Sequence, residues 1–247
     1  MSQTVSRAID ILRFVGERPR SLGEVAERLE VHKSTALRLL QTLVAEGFAR
    51  QGGDGLYRVG FGLIALANDS LDDLEVRTAA RPFLQSLVDQ YGHTVHLAQL
   101  VDDRIRYVDK LDGRGTVAMG SRVGNAVDLH TAGVAKAILA FLEPAARRRL
   151  EREITFQRFT STTIVTPERL AEELEVTRAR GWAEDDGEKE DYINCVAVPV
   201  FDARGRVCAG FSVTALRAVA SLDELRRIVP AIQDVSRSIS RELGWNG

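Results

Sequence analysis

Lys33, Ser34, Thr35 and Arg38 crowd the front of VHKSTALRLLQTLVAEG, residues 31–47. At helical spacing Leu37, Leu39, Leu40, Leu43 and Val44 make an apolar stripe, while Ser34, Arg38, Gln41 and Ala45 share another face with Thr35 and Thr42. Short donors and cations gathered on one helical face suit hydrogen bonding to base edges in a major groove. A second group lies toward the C-terminus. Cys195 in INCVAVPVF, with Ser212 and Thr214 in RVCAGFSVT, places a thiol and two hydroxyls in strand-like runs. Ser212 and Thr214 alternate, so they share a strand face and can line a pocket for a small polar molecule. The same thiol can be read as a nucleophile with His96 or His130 as its base, or as a metal or redox sensor with Asp185 or His130. Valine-rich surroundings favour a small buried side chain instead. His93 and His96 carry a metal-like spacing, but strand residues three apart point to opposite faces, which argues against zinc.

The elements that would hold the first group are legible around it. Ser21 followed by Glu24 is a capping box, and Leu22, Val25, Ala26 and Leu29 form the buried stripe of the helix it starts. Two or three residues then lead into the Lys33 helix, which makes the pair a helix-turn-helix. Upstream, TVSRAIDILRFVG supplies a third helix with Val5, Ile9, Leu12 and Val15 inward. Downstream, Phe48–Gln51 and Leu56–Val59 are short strands around Gly52-Gly53-Asp54-Gly55. That hairpin is a wing whose Arg50 and Arg58 can meet phosphate. Residues 1–60 therefore read as a mainly α winged helix-turn-helix on double-stranded DNA, with Lys33, Ser34, Thr35, Arg38 and Gln41 toward the groove.

The chain has 247 residues, enough for two domains, and 45% hydrophobic with 28% charged residues is an ordinary globular composition. No apolar run approaches the ~18 residues of a membrane span. The start, MSQTVSRAID, lacks the layout of a signal peptide, so a cytoplasmic protein is expected. Two cysteines give no disulfide framework. Net charge is −2, and residues 1–60 hold nine Arg/Lys against seven Asp/Glu, a bias too weak to indicate DNA binding alone. Neither a phosphate-binding glycine loop nor a kinase signature is visible, and no cofactor is expected.

Residues 61–80 read as a helical linker, with one helix to about Asp73 and a second to Tyr91 that Pro82 breaks or kinks. Residues 81–247 read as an effector-binding and oligomerisation domain, in which 94–247 alternate strands and helices. TVHLAQLV and RIRYVDKL form a hairpin around Asp102-Asp103, and GTVAMGSRV is a further strand region. Helices are expected from about Thr131 to Leu142 and from Pro167 to Arg180. The latter has Thr166 as N-cap and Gly181 past its end. Ser221 and Glu224 cap the last helix. Pairing Phe201 with Arg206 places Cys195 opposite Ser212. Cys195, Ala197, Gly210, Ser212 and Thr214 then share one face; Val196, Val198, Val200, Val207, Phe211 and Val213 share the other. Cys208 falls opposite Pro199, ~13 Å from Cys195 at strand rise and beyond disulfide reach. The class is α+β, helices over an antiparallel sheet.

SRAIDIL, KSTALRLLQTL and YRVG, followed by LHTAGVAKAILA, TPERLAEELEVTRARGWAEDDGE and CVAVPVFDARGRVCAGFSVT, closely resemble the IclR-type bacterial transcription regulators over nearly the whole chain. The resemblance implies a GAF-like effector domain and a regulator rather than an enzyme. It also implies a homodimer or dimer of dimers on a palindromic operator, with the connecting segment helping to dimerise the DNA-binding domains. It implies effector contacts at Met119, Asp185, Cys195, Ser212, Thr214 and the Gly133-Val134 backbone, whose helix-start amides suit a carboxylate. A small organic acid is the expected effector. Three departures stand out. Glu30-Val31-His32 replaces the frequent Gly-Leu-Pro, forcing a left-handed backbone on a glutamate at a cost of about 1 kcal/mol. Thr214 replaces a frequent serine. Tyr192 replaces a common glycine, which would change pocket size or access.

Overall fold

The computed structural model describes residues 2–72, 75–114 and 120–247, and their side chains except those of 67–72. Two compact units divide the chain at Asp73/Leu74. The first contains α1 (Gln3–Glu17), α2 (Leu22–Arg28), α3 (Lys33–Ala45), the hairpin β1 (Ala49–Gln51) and β2 (Tyr57–Val59), and α4 (Phe61–Asp72). Its core is Ile11, Val15, Val25, Ala26, Ala36, Leu40, Leu43, Ala49 and Tyr57. Ser21 and Glu24 form the expected capping box. The hairpin pairs Arg50 with Arg58 and Gln51 with Tyr57. Gly60 is required where it stands, because a Cβ there would lie 2.1 Å from the Gly47 carbonyl oxygen.

Helix α1 turns Leu12 and Val15 inward as expected, but Ile11 takes the place of Val5 and Ile9. Val5 and Ile9 are 57% and 44% exposed, while Ile11 and Val15 are buried, with Ala8 and Leu12 partly so. Apolar residues occupy two adjoining faces of this helix, and periodicity alone cannot choose between them. Val44 of α3 likewise leaves the stripe and is exposed.

The second unit starts with α5 (Glu75–Tyr91), which runs through Pro82 as one helix. Val76 and Ala80 are already in its core, so this unit takes in the end of the segment read as linker. There follow β3 (Thr94–Val101), β4 (Arg104–Leu111), α6 (Gly133–Leu139), α7 (Pro144–Glu151), α8 (Pro167–Arg180) and β5 (Ala183–Asp186). β6 (Ile193–Phe201), β7 (Val207–Leu216), α9 (Leu222–Arg227) and α10 (Val229–Glu242) complete it. The antiparallel sheet has the order β4-β3-β7-β6-β5. α5, α9 and α10 pack on one face around Leu84, Phe211 and Ile232; α6 and α8 pack on the other around Ile138 and Leu174. Helices on both faces explain why β6 is buried along almost its whole length instead of alternating.

Local signals set most of the boundaries. Asp102 and Asp103, both with positive φ, form the two-residue turn between β3 and β4. Thr166 caps α8 through the Arg169 amide and Gly181 ends it in the left-handed conformation. Ser221 and Glu224 form the second capping box, but the helix expected to follow is two helices. Pro230 sits in the first turn of α10, where its missing N–H costs nothing. The expected strand at 115–123 falls mostly outside the described residues, and Gly120–Val123 is not strand.

The last hairpin corrects the expected register. Cys195 pairs with Thr214, Ala197 with Ser212 and Val200 with Ala209, whereas Phe201 pairs with Val207. The strands are thus offset by two residues, with a bulge at Val200/Phe201. An even offset preserves the faces, so Cys195, Ser212 and Thr214 still look toward α6. Val207 lies beyond the bulge, where parity reverses, and it packs in the α6 cluster instead of with Phe211. Both cysteines are free.

Candidate functional site

Two regions bring chemistry-bearing residues together, one in each unit. On α3, Lys33, Ser34, Arg38, Gln41 and Thr42 are exposed and Thr35 is half-buried. This is the expected polar face, opposite the buried Ala36, Leu40 and Leu43. The first turn carries an unforeseen device. His32 is the N-cap: its Nδ1 accepts from the Ser34 amide at 3.3 Å and lies 2.9 Å from the Ser34 hydroxyl. Histidine is outside the usual N-cap set, so sequence preference gave no signal for it. Arg50 is exposed, with its guanidinium 5.7 Å from the Phe61 ring centroid. Arg58, the other residue expected to meet phosphate, makes local contacts. It pairs with Asp54 at 2.6 Å and also donates to the Leu56 carbonyl, bracing the wing turn. The Arg58 hydrogen bonds hold the Asp54 carboxyl well below its ordinary range.

In the second unit a cavity of about 280 Å³ opens between the sheet and the start of α6. Its wall contains Gly133, Val134, Asp185, Cys195, Ser212 and Thr214, six of the seven expected effector residues. The seventh, Met119, lies outside the described residues. Cys195 sits against α6 so closely that a Cβ on residue 133 would come within 2.7 Å of its sulfur. The Gly133 amide donates toward that sulfur. Burial, helped by the Asp185 carboxylate, pushes the thiol pKa well up. A thiol kept protonated suits hydrogen bonding, not nucleophilic attack.

His96 lines the same cavity, although the sequence offered it only as a base or half of a metal pair. Its Nδ1 lies 3.3 Å from the Thr214 hydroxyl and its Nε2 lies 2.7 Å from that of Ser121. Burial, with the Lys110 cation, lowers its pKa to about 4, so the ring is neutral at pH 7. Lys189 stands on the wall, 3.1 Å from Asp128. Tyr192, by contrast, is absent from the wall and exposed; its neighbour Ile193 lines the cavity. The departure at Tyr192 therefore does not fill the pocket.

Behind the cavity lies a charge set that sequence reading missed. Lys136 of α6 is fully buried and pairs with Glu188, itself 6% exposed. The Glu188 amide donates to Asp185 Oδ1 at 2.7 Å. Thr160, Thr162 and Thr163 pin the carbonyls of the turn from Asp186 to Glu188. Burial opposes charge on Lys136, yet the Glu188 and Asp185 carboxylates outweigh it and raise its pKa. Burial in turn lifts Asp185 to about 6 and Glu188 to about 7. The lysine alone in an apolar helix face resembles a solvated charge on paper, and its partner is 52 residues away.

The model of the IclR helix-turn-helix domain matches residues 4–53, and that of the bacterial transcriptional regulator IclR C-terminal domain matches residues 68–241. The chain belongs to the IclR family of bacterial transcriptional regulators. It is 31% identical over 245 residues to the HTH-type transcriptional regulator KdgR of Dickeya chrysanthemi, covering 98% of this chain and 80% of that one. The crystal structure of the Thermotoga maritima IclR superposes with a TM-score of 0.87 at 31% identity, over 98% and 99% of the two chains. An IclR homologue from Microbacterium hydrocarbonoxydans, complexed with 4-hydroxybenzoate, shares the fold with a TM-score of 0.78 at 22% identity, over 97% and 98%. The family regulates transcription and is not a family of enzymes.

Within the IclR family pattern, the turn before α3 behaves as its composition implies. Glu30 has φ 53°, the left-handed region where glycine is at ease. Glu30→Gly is expected to stabilise the first unit by about 1 kcal/mol. Urea unfolding of the two proteins, followed by far-ultraviolet circular dichroism, measures this. A destabilised glycine variant would show that the Glu30 side chain contributes more than its backbone costs.

Proposed function

We propose that this IclR-family regulator binds an approximately palindromic operator as a homodimer or dimer of dimers, and that a small organic acid in the cavity of its GAF-like domain controls that binding. The carrying observation is the convergence of Asp185, Cys195, Ser212, Thr214 and the Gly133-Val134 backbone on one cavity. The Microbacterium homologue's complex with 4-hydroxybenzoate, an aromatic acid, supports the ligand class. Among the described residues no helix is long and apolar enough to cross a membrane, which agrees with action on DNA in the cytoplasm. On the DNA side, Lys33, Ser34, Thr35, Arg38 and Gln41 read base edges and Arg50 meets phosphate. Arg58, braced by Asp54, meets phosphate beside it.

Arg38 is exposed and outside the core, so Arg38→Ala removes a reach without opening a cavity. Specific affinity should fall by ~1–3 kcal/mol with the melting temperature unchanged. Fluorescence anisotropy against a duplex selected from random DNA by the wild type tests this. Unchanged affinity would remove Arg38 from the reading face.

A further inference from the structure

Among the described residues, Asp128, Asp185, Lys189 and Glu190 are the charged side chains on the cavity wall, and His96 is neutral. Lys189 is matched by Asp128, whose two oxygens lie 3.1 Å from Lys189 and 2.9 Å from His130. Asp185 and Glu190 are left over. Asp185 Oδ1 accepts the Glu188 amide, whereas Oδ2 has no partner among the described residues. The residue keeps 9% of its surface open, and Oδ2 is not among the sealed, unpaired atoms that include Glu188 Oε2. Glu190 is half-buried on the same wall and makes no ion pair among the described residues. The cations whose fields reach Asp185 and His96 from behind the wall are matched too: Lys136 by Glu188, Arg217 by Asp186, Lys110 by Asp112. Arg106 and Arg122 are absent from the wall, and residues 115–119 carry no charged side chain. The Tyr107 ring lines the cavity among these acids; burial first, then Asp185, Asp128 and Glu190 with other neighbours, push its phenol pKa well up.

A plain carboxylate entering here meets two unmatched like charges and no free cation. An ammonium group meets the reverse, two acceptors and an aromatic face. We propose that the effector is an acid that also carries a protonated amine, such as an α-amino acid, with the amine held by Asp185 and Glu190 beside Tyr107. This rests on the cavity being the effector site and narrows the ligand class. The amine gives Asp185 Oδ2 the donor and the counter-charge that the protein withholds. The Gly133 backbone adjoins Asp185, since a Cβ on residue 133 would lie 3.5 Å from the Asp185 amide nitrogen. A carboxylate at Gly133-Val134 and an amine at Asp185 thus fit on neighbouring atoms of one small ligand. Glu190 becomes a specificity-determining residue, selecting the amine.

Thermal melts of the wild type at pH 7 compare acids matched in skeleton. The sets are L-valine, L-2-hydroxyisovalerate and isovalerate; L-phenylalanine, L-3-phenyllactate and 3-phenylpropionate; and 4-(aminomethyl)benzoate with 4-hydroxybenzoate. In each set that stabilises the protein, the amine-bearing acid should give the largest shift. The best amine and its amine-free counterpart are then titrated by calorimetry into wild type, Glu190→Gln and Ser212→Ala. Wild type should prefer the amine roughly tenfold or more, the contribution of a charge-assisted hydrogen bond. Glu190→Gln should cut that preference several-fold by weakening the amine alone, whereas a purely structural role would weaken both ligands alike and overturn the assignment of Glu190. An amine-free acid that binds wild type as tightly as its counterpart, with both weakened in Ser212→Ala, would overturn the amine and leave the cavity as an acid site. A wild type that none of these acids stabilises would overturn the acid reading and this assignment with it.

Discussion

Lys136→Met should destabilise the second unit by about 3–5 kcal/mol at pH 7, the usual cost of removing one partner from a buried ion pair. The lysine is fully buried and stands between two acids, so its loss leaves Glu188 and Asp185 without a counter-charge. Neither carboxylate can reach water easily, and each must take a proton instead. Folding then takes up protons that the unfolded chain releases near pH 4, and the penalty grows with pH. At pH 5 the same substitution should therefore cost distinctly less. The double variant Lys136→Met/Glu188→Gln should recover much of the loss, because a neutral amide no longer requires a cation. Urea titrations of the four proteins at both pH values measure the cycle. A pH-independent loss would mean that Lys136 acts through packing of its aliphatic stem.

Asp185→Asn should do the opposite to stability while abolishing ligand control. Burial raises the Asp185 carboxyl to about 6, above its ordinary value of 3.8. Below pH 4 the group is protonated folded and unfolded, and it carries no penalty. As pH rises from about 4 to 6 the unfolded chain loses this proton and the folded chain keeps it, so stability falls through that window. Above pH 6 the penalty levels off at roughly 3 kcal/mol, two pKa units' worth of differential interaction. Asparagine has no charge to bury, and its side-chain oxygen can still accept the Glu188 amide. The variant should match wild type at pH 4 and exceed it by ~2–3 kcal/mol at pH 7. Equal stability across the whole range would show that Asp185 is better solvated than its position implies. An acid that lowers its own protein's stability has to be retained for another reason, and ligand recognition supplies one.

Elements with local punctuation were legible in the amino-acid sequence. The Ser21–Glu24 box, Thr166-Pro167 with Gly181, and the alternation in β6 and β7 each depend on neighbours a few residues apart. The polar front of α3 followed for the same reason. What depends on distant partners was not legible. The bulge at Val200/Phe201 shifted a register that the turn residues alone had suggested. Ile11 replaced Ile9 in the α1 stripe because only packing against α3 and β2 selects between adjoining faces. Lys136 is separated from Glu188, and His96 from Thr214, by long stretches of chain, and nothing in the local spacing of either announces its partner. His32 escaped because it caps a helix against residue preference. In the cavity, the family pattern located the floor, whereas Thr131, Ser121 and Lys189 emerged only from the folded wall.

Under the proposed function, a ligand in the cavity changes affinity for DNA at α3. A ligand can shift that equilibrium only through different affinities for two states of the protein. The direct measurement is the Kd for the selected duplex with and without the acid that gives the largest thermal shift, in wild type and Asp185→Asn. The wild-type Kd should change by roughly 5–150-fold on adding the acid, the usual span of coupling between two sites. The Asp185→Asn protein should bind the duplex as the unliganded wild type does, whether or not acid is present. An acid that binds the wild-type cavity and leaves its DNA affinity unchanged would contradict effector control through this site.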